Sequence, residues 1–336
     1  MLQPRMSFVV VLCCSLPALA QFDAVRMQPP GVALSTFIKG ADGPYRIGYE
    51  FTFPSHGFVW TGSDPNAQDF GAGSTIHSIS GNQFGGSLNA RACVWTESVA
   101  SRVDLCPTTA SVVDAISGSQ QVGSVFDGGS NSHATLWNGS SSTQVDLSPA
   151  GFLRSFAIGT DGTRQFGWGA DPAGRPHALV WNGTAASMQD FTPPQGTAQI
   201  LGVGGGAQVG AIDTHATIWH GTPESAIDLN PPGYLGSLCE GTNGAAQVGF
   251  VNVVGGNHAA LWLGSAASFI DLHAFLPAAY STSEATSVTI DNGRLVIGGY
   301  ASTGGLSEAF IWVAVPTPAT AAPLLALVGF AVRRHR

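Results

Sequence analysis

The stretch HALVWNGTAASMQDF, from His177 to Phe191, is an aliphatic run closed by Trp181, then a polar turn, then Asp190 followed by an apolar residue. It recurs as HATLWNGSSSTQVDL from His133, HATIWHGTPESAIDL from His215 and HAALWLGSAASFIDL from His258. Working outward, seven tryptophans close such runs: Trp60, Trp95, Trp137, Trp181, Trp219, Trp262 and Trp312. Their spacing averages about 42 residues, a period typical of repeated supersecondary units. An aspartate stands nine positions after each of the first six: Asp69, Asp104, Asp146, Asp190, Asp228 and Asp271.

A second element precedes each Trp, as in Gln121-Val122-Gly123, Gln165-Phe166-Gly167, Gln208-Val209-Gly210 and Gln247-Val248-Gly249. Weaker copies are Arg46-Ile47-Gly48, Gln83-Phe84-Gly85 and Val296-Ile297-Gly298. Before it comes a small-residue run such as Ser155-Phe156-Ala157-Ile158-Gly159. Each unit thus offers four short runs separated by Gly, Asn, Asp and Pro, the signature of strands and tight turns. No stretch between residues 21 and 315 sustains a helical period. The expected fold is all-β, a seven-bladed β-propeller of four-stranded antiparallel blades. The seventh unit stops at Trp312 without an Asp strand. Ala24-Val25-Arg26-Met27-Gln28-Pro29-Pro30-Gly31 aligns with Ala226-Ile227-Asp228-Leu229-Asn230-Pro231-Pro232-Gly233. The N-terminal strand is therefore expected to close the ring, leaving no open seam.

Composition agrees. Of 336 residues, 44% are hydrophobic, only 10% are charged and 44 are Gly, which suits many short strands. Lys39 is the one lysine and the formal charge is −8, so no basic surface exists to neutralise a nucleic-acid backbone. Residues 1–20 read as a secretory signal: Arg5, the apolar run Phe8 to Leu16, and Ala18-Leu19-Ala20 before cleavage at Gln21. Residues 21–315 form the propeller. Residues 316–336 comprise Pro316-Thr317-Pro318, an apolar run from Ala319 to Val332, and Arg333-Arg334-His335-Arg336. Fourteen apolar residues fall short of the roughly 20 that a spanning helix needs.

This tail resembles the PEP-CTERM sorting signal of Gram-negative bacteria, with Thr317 where that family carries Glu. The resemblance implies export, a sorting protease acting on the tail, transient membrane association and a cell-surface destination. The units themselves are similar to the extracellular HAF repeat family, through His133-Ala134, His177-Ala178, His215-Ala216, His258-Ala259 and the Asp-Leu pairs. Arg91-Ala92 and Glu308-Ala309 depart from that pattern, and His273-Ala274-Phe275 falls out of register. The resemblance implies a secreted repeat protein and carries no reaction.

The repeated residues read as scaffold. His56, His133, His177, His215 and His258 could bind metal only by converging, which one residue per blade on an outer strand does not allow. They are expected to cap turns or to bond the neighbouring blade. Six aspartates in equivalent settings are the opposite of the unequal pair that glycoside hydrolysis needs. Each is expected to accept from its own hairpin or from the Trp ring N–H. Glu50, Asp213, Glu240 and Glu308 break the repeat and are the candidate acids. Cys93 and Cys106 flank a hairpin, and a disulfide between them is expected if Trp95 faces Asp104, with two buried thiols as the alternative. Cys239 reads as a small buried hydrophobe. Asn138-Gly139 and Asn182-Gly183 read as hairpin turns.

No catalytic or cofactor motif appears, and no cofactor or metal is expected. The leading functional expectation is a non-catalytic binding scaffold for an extracellular polysaccharide or surface protein. Its binding loops would be Phe126 to Ser132, Gly169 to Pro176 and Val251 to Asn257. The alternatives are a propeller lyase or glycoside hydrolase using repeat-breaking acids, and a purely structural envelope component.

Overall fold

The computed structural model describes residues 21–129 and 131–315. The expected leader 1–20 and the tail carrying Pro316, Thr317, Pro318, Arg333, Arg334 and Arg336 lie outside the described residues. Seven four-stranded antiparallel sheets form a ring, a seven-bladed β-propeller. The first blade runs Thr36–Asp42, Tyr45–Glu50, His56–Thr61 and Ala67–Ala72, counted from the axis outward. The seventh takes three strands from Thr282–Asp291, Arg294–Ser302 and Ser307–Val315, and its outermost from Gln21–Arg26.

That last pairing is the expected closure. Gln21 lies opposite Val315 and Arg26 opposite Phe310, so Arg26 occupies the place that Asp228 holds against Thr217. Met27 N–H donates to Ala309 O at 2.8 Å, as Leu229 N–H does to Ala216 O. Phe22 and Met27 are buried.

Strand direction sorts the loops into two ends. The linkers between blades and the loops joining second to third strands share one, the linker end. The tight turns joining first to second and third to fourth strands share the other, the hairpin end. Gln21 and Val315 both lie at the hairpin end.

Blades meet through a repeated contact. Alternation places Trp181 on the face that packs against Val122, Ala134 and Leu136 of the third blade, while Ala178 and Val180 face Trp219 of the fifth. All seven motif tryptophans are buried. Fully burying a large apolar side chain contributes about 1.5–3 kcal/mol. Polar stitches run alongside. Ala134 N–H donates to Ser155 Oγ of the next inner strand at 3.0 Å, and Ala216, Ala259 and Ala92 repeat this with Ser237, Ser283 and Ser111. In the third to sixth blades the Gln of the second element locks the turn after the Trp. Gln121, Gln165, Gln208 and Gln247 accept from Gly139, Gly183, Gly221 and Gly264.

Two sequence expectations need correction. The register places Phe84-Gly85-Gly86 and Ile297-Gly298-Gly299 in the roles of Gln121-Val122-Gly123, one position later than the weak copies read. Cys93 and Cys106 are free, not bridged. Asp104 lies opposite Cys93 rather than Trp95. The two thiols then sit on opposite faces of the blade: Cys93 packs with Ile47, Val59 and Phe84, and Cys106 with Val94, Ile116 and Trp137. Burial pushes the Cys93 thiol up to about 12. Cys239 is buried, as expected.

Removing residues 22–30 deletes the closing strand and bares the edge of Ser307–Val315. The midpoint of thermal unfolding should fall by on the order of 10 °C, given about 1 kcal/mol per 2–4 °C for a chain of this size; an unchanged midpoint would refute the closure. Thiol titration of the propeller should find three reactive groups in denaturant and none in the native protein. Two missing thiols that return on reduction would restore the disulfide.

Candidate functional site

The site begins with an irregularity common to all seven inner strands. Each pairs with its neighbour through a register shift that skips one residue: Lys39, His77, Asp114, Ile158, Leu201, Glu240 and Thr286. A bulge leaves its extra residue unpaired and re-aims the side chain. Here all seven skipped residues line one central channel of about 470 Å³, within the range of small-molecule sites.

The ring is not symmetric. Going round from the sixth blade, it reads Glu240, Thr286, Lys39, His77, Asp114, Ile158, Leu201. Five neighbouring positions make a polar wall and two make an aliphatic one. Asp114 and Glu240 stand three blades apart, the largest separation that seven blades allow. His77 Nδ1 lies 3.5 Å from Asp114 Oδ1, and the Tyr49 ring stacks on the imidazole at 5.4 Å. Thr286 Oγ1 donates to Ile38 O at 2.7 Å, tying the seventh blade to the first. Lys39 and Glu240 make no hydrogen bond or ion pair among the described residues. Enclosure pushes the Glu240 carboxyl up to about 7; Lys39 pulls it down and Glu284 adds to the rise. A carboxyl poised there can both hold and release a proton near neutrality.

Aromatic residues gather where the inner strands start, at the linker end. Phe37 meets Tyr300 edge-on at 4.8 Å and Tyr49 at 5.9 Å. The Tyr300 hydroxyl donates to Glu284, whose other oxygen accepts from Asn257 Nδ2 at 2.9 Å. Phe156 stacks on Trp168 at 4.5 Å, with the Arg154 guanidinium 5.8 Å from the indole. Leu34, Phe51, Phe53, Phe126, Leu153, Leu235, Val254 and Leu306 are exposed at this same end. The three expected binding loops, Phe126 to Ser132, Gly169 to Pro176 and Val251 to Asn257, all lie here.

Most of the expected acids go elsewhere. Glu50 lies opposite His56 at the end of a second strand. Asp213 holds a left-handed backbone, φ 52°, and accepts from Thr197 N–H. Glu308 pairs with Arg26 and accepts from Tyr280. Only Glu240 reaches the channel. Lys39, His77 and Asp114 were not singled out by sequence. Their signal is a variable residue between a buried one and a small one, as in Val113-Asp114-Ala115 or Cys239-Glu240-Gly241.

The repeated His and Asp residues turn out to be one feature. His56, His133, His177, His215 and His258 approach Asp69, Asp146, Asp190, Asp228 and Asp271 of the same blade, at 2.7–3.3 Å. The imidazoles therefore bond their own blade: His56, His177, His215 and His258 hydrogen-bond the aspartates, which do not bond the Trp rings, while His133 Nδ1 hydrogen-bonds Ser148 Oγ. Each Asp also accepts the backbone N–H two residues on, as Asp190 does from Thr192. Trp312 Nε1 donates instead to Leu272 O of the preceding blade, at 2.9 Å. In the seventh blade the pair is inverted: Glu308 takes the His position and Arg26 the Asp position. In the second, Arg91 replaces His and Asp104 pairs with Arg102. Partly exposed pairs of this kind contribute about 0.2–1 kcal/mol each.

No family model and no curated protein matches the chain. Solved structures similar to it include an oligogalacturonate lyase from Vibrio parahaemolyticus, at 10% identity and TM-score 0.56, covering 89% of this chain and 98% of that one. The propeller domain of the Trilobed protease from Pyrococcus furiosus aligns at 10% identity and TM-score 0.53, over 88% and 94%. That domain has an open velcro topology, whereas this ring is closed by its N-terminal strand. A puromycin hydrolase aligns at 11% identity and TM-score 0.55, over 86% of this chain and 55% of its own. The chain thus spans about half the length of that hydrolase. These likenesses show the fold alone.

The Glu240 carboxyl sets a pH dependence. The folded protein keeps this proton to higher pH than the unfolded chain, so folding takes up a proton between the ordinary carboxylate range and about 7. Stability from this group therefore falls as pH rises through that window. Relative to Glu240→Gln, the wild-type unfolding midpoint should drop by a few degrees between about pH 5 and pH 8. Parallel curves for the two proteins would contradict it.

Proposed function

We propose that this protein is an exported propeller that binds an extracellular polysaccharide, or a surface component of similar chemistry, through the channel and its linker-end mouth. The observation carrying this reading is the channel that Lys39 and Glu240 line without a hydrogen-bond or ion-pair partner among the described residues, beneath a rim of aromatic residues. Both groups line a channel open to water, where a hydroxyl-rich ligand can take over the hydrogen bonds that water makes. Exposed rings at the linker end such as Phe51 and Phe53 suit the apolar face of a sugar ring. The leader-like segment 1–20 and the sorting-signal-like tail support display at a Gram-negative cell surface, with the tail as substrate of a sorting protease.

A second reading is cleavage of such a polymer. It is favoured by one observation, that Asp114 and Glu240 both line the channel, three blades apart, and differ in environment. Two unequal carboxyl groups flanking a bond are what glycoside hydrolysis uses.

One screen separates the two. Residues 21–315 applied to an array of neutral, acidic and amine-bearing polysaccharides, with product analysis, should show binding that Lys39→Met and Glu240→Gln weaken at least tenfold. Binding without products supports the scaffold; new chain ends, lost in Asp114→Asn and Glu240→Gln, establish the enzyme; silence on every glycan sinks both.

A further inference from the structure

One linker between blades differs from the rest in its chemistry. Two positions after each fourth-strand aspartate the chain turns toward the next blade, and there it carries Gly71, Cys106, Ser148, Thr192 or Asn230, all neutral. After the sixth blade it carries His273. The His273 ring stacks on that of His258, with centroids 4.0 Å apart and planes within 15°. His258 Nδ1 lies 3.0 Å from Asp271 Oδ2. His273 Nδ1 lies 2.8 Å from Ser283 Oγ, which also accepts from Ala259 N–H. Ser283 belongs to the inner strand of the seventh blade, so the imidazole is part of the stitch between blades. Asn230 holds the matching place after the fifth blade, where it accepts from Ser237 Oγ at 2.8 Å.

The same linker braces the closure of the ring. Leu272 O accepts from Trp312 Nε1, and Phe275 meets Phe22 of the closing strand edge-on at 5.6 Å. The Tyr280 hydroxyl donates to Glu308, the partner of Arg26. We propose that the His258–His273 stack is an acid-sensitive latch: protonation of both rings loosens the junction of the sixth and seventh blades, and with it the closing strand Gln21–Arg26. The ring of His273 faces His258 from the third strand, Asp271 from the fourth, Ser283 from the next inner strand and the backbone of Tyr280. Asp271 carries one negative charge, which balances one imidazolium and not two. Glu308, beyond Tyr280, is already paired with Arg26. Two like charges at stacking distance repel more strongly beside the protein than in bulk water. Burial and then His258 hold the His273 imidazole below its ordinary value, against Asp271 and the Tyr280 backbone, which raise it. The unfolded chain therefore takes this proton at a higher pH than the folded one. Stability from this group is full above the ordinary imidazole range and is lost as pH falls through it.

Amide hydrogen exchange on the purified protein, corrected for the intrinsic rate at each pH, reads the junction directly. Between about pH 7.5 and about pH 5, protection of residues 21–26 and 272–281 should fall about tenfold more than that of the third to fifth blades. His273→Asn, which copies Asn230, should abolish that difference. Its unfolding midpoint, measured against the wild type, should gain a few degrees on going from the higher pH to the lower. The Glu240 carboxyl titrates in both proteins and cancels from the comparison. His258→Gln removes the other ring and should act alike, so a folding defect in one variant leaves the other to decide. A wild-type junction that keeps its protection in acid, a loss spread evenly over the blades, or an acid response that persists in either folded variant overturns the latch.

Discussion

The fold depends on one close approach between two strands. In every blade a glycine of the second strand lies under a carbonyl of the first. A Cβ there would sit 1.8–2.0 Å from the oxygens of Phe37, Thr75, Val112, Phe156, Gln199, Leu238 and Glu284. No rotamer relieves such a clash, because the obstacle is backbone. The glycines Gly48, Gly86, Gly123, Gly167, Gly210, Gly249 and Gly299 thereby allow the bulge just past each carbonyl. The bulge in turn frees one residue per blade from pairing and points it into the channel. What reads in sequence as a Gln-Val-Gly signature is the requirement that makes the central site possible.

Scaffold and site obey different rules as a result. The interfaces between blades repeat: Trp into the aliphatic face of the preceding blade, Ser on the next inner strand accepting from an outer one, Gln closing the turn. Each keeps its geometry in the blades that carry it, so its residues recur. The skipped residue is constrained only in its backbone. Lysine, histidine, aspartate, isoleucine, leucine, glutamate and threonine all occupy it, and this is where the ring loses its symmetry.

The architecture was legible because burial and turn chemistry repeat with the chain, down to Arg26 in the place of an aspartate. The site was not, because the channel residues lie inside runs of small residues and form no motif; only Glu240 stood out, as an acid where the repeat has none. Errors of register explain the remaining misses. Reading Trp95 against Asp104 moves Cys93 two positions from its true partner; an even shift keeps the face, and Cys106 packs on the other side because it lies past the end of its strand at Asp104. The histidines and aspartates were recognised separately because thirteen residues part them in sequence, while the hairpin brings them within hydrogen-bond distance. The inversion to Glu308 and Arg26 is visible only once the N-terminal strand is known to belong to the seventh blade.

Gln21 and Val315 pair side by side at the hairpin end, on the outer two strands of a single blade. The aromatic mouth is at the opposite end of the axis. Any anchorage made through chain beyond either residue therefore grips the ring at one edge of its underside, like a dish on an off-centre stalk. The mouth then faces away from the point of attachment, and a pull along the stalk loads the strand that closes the ring before it reaches the channel.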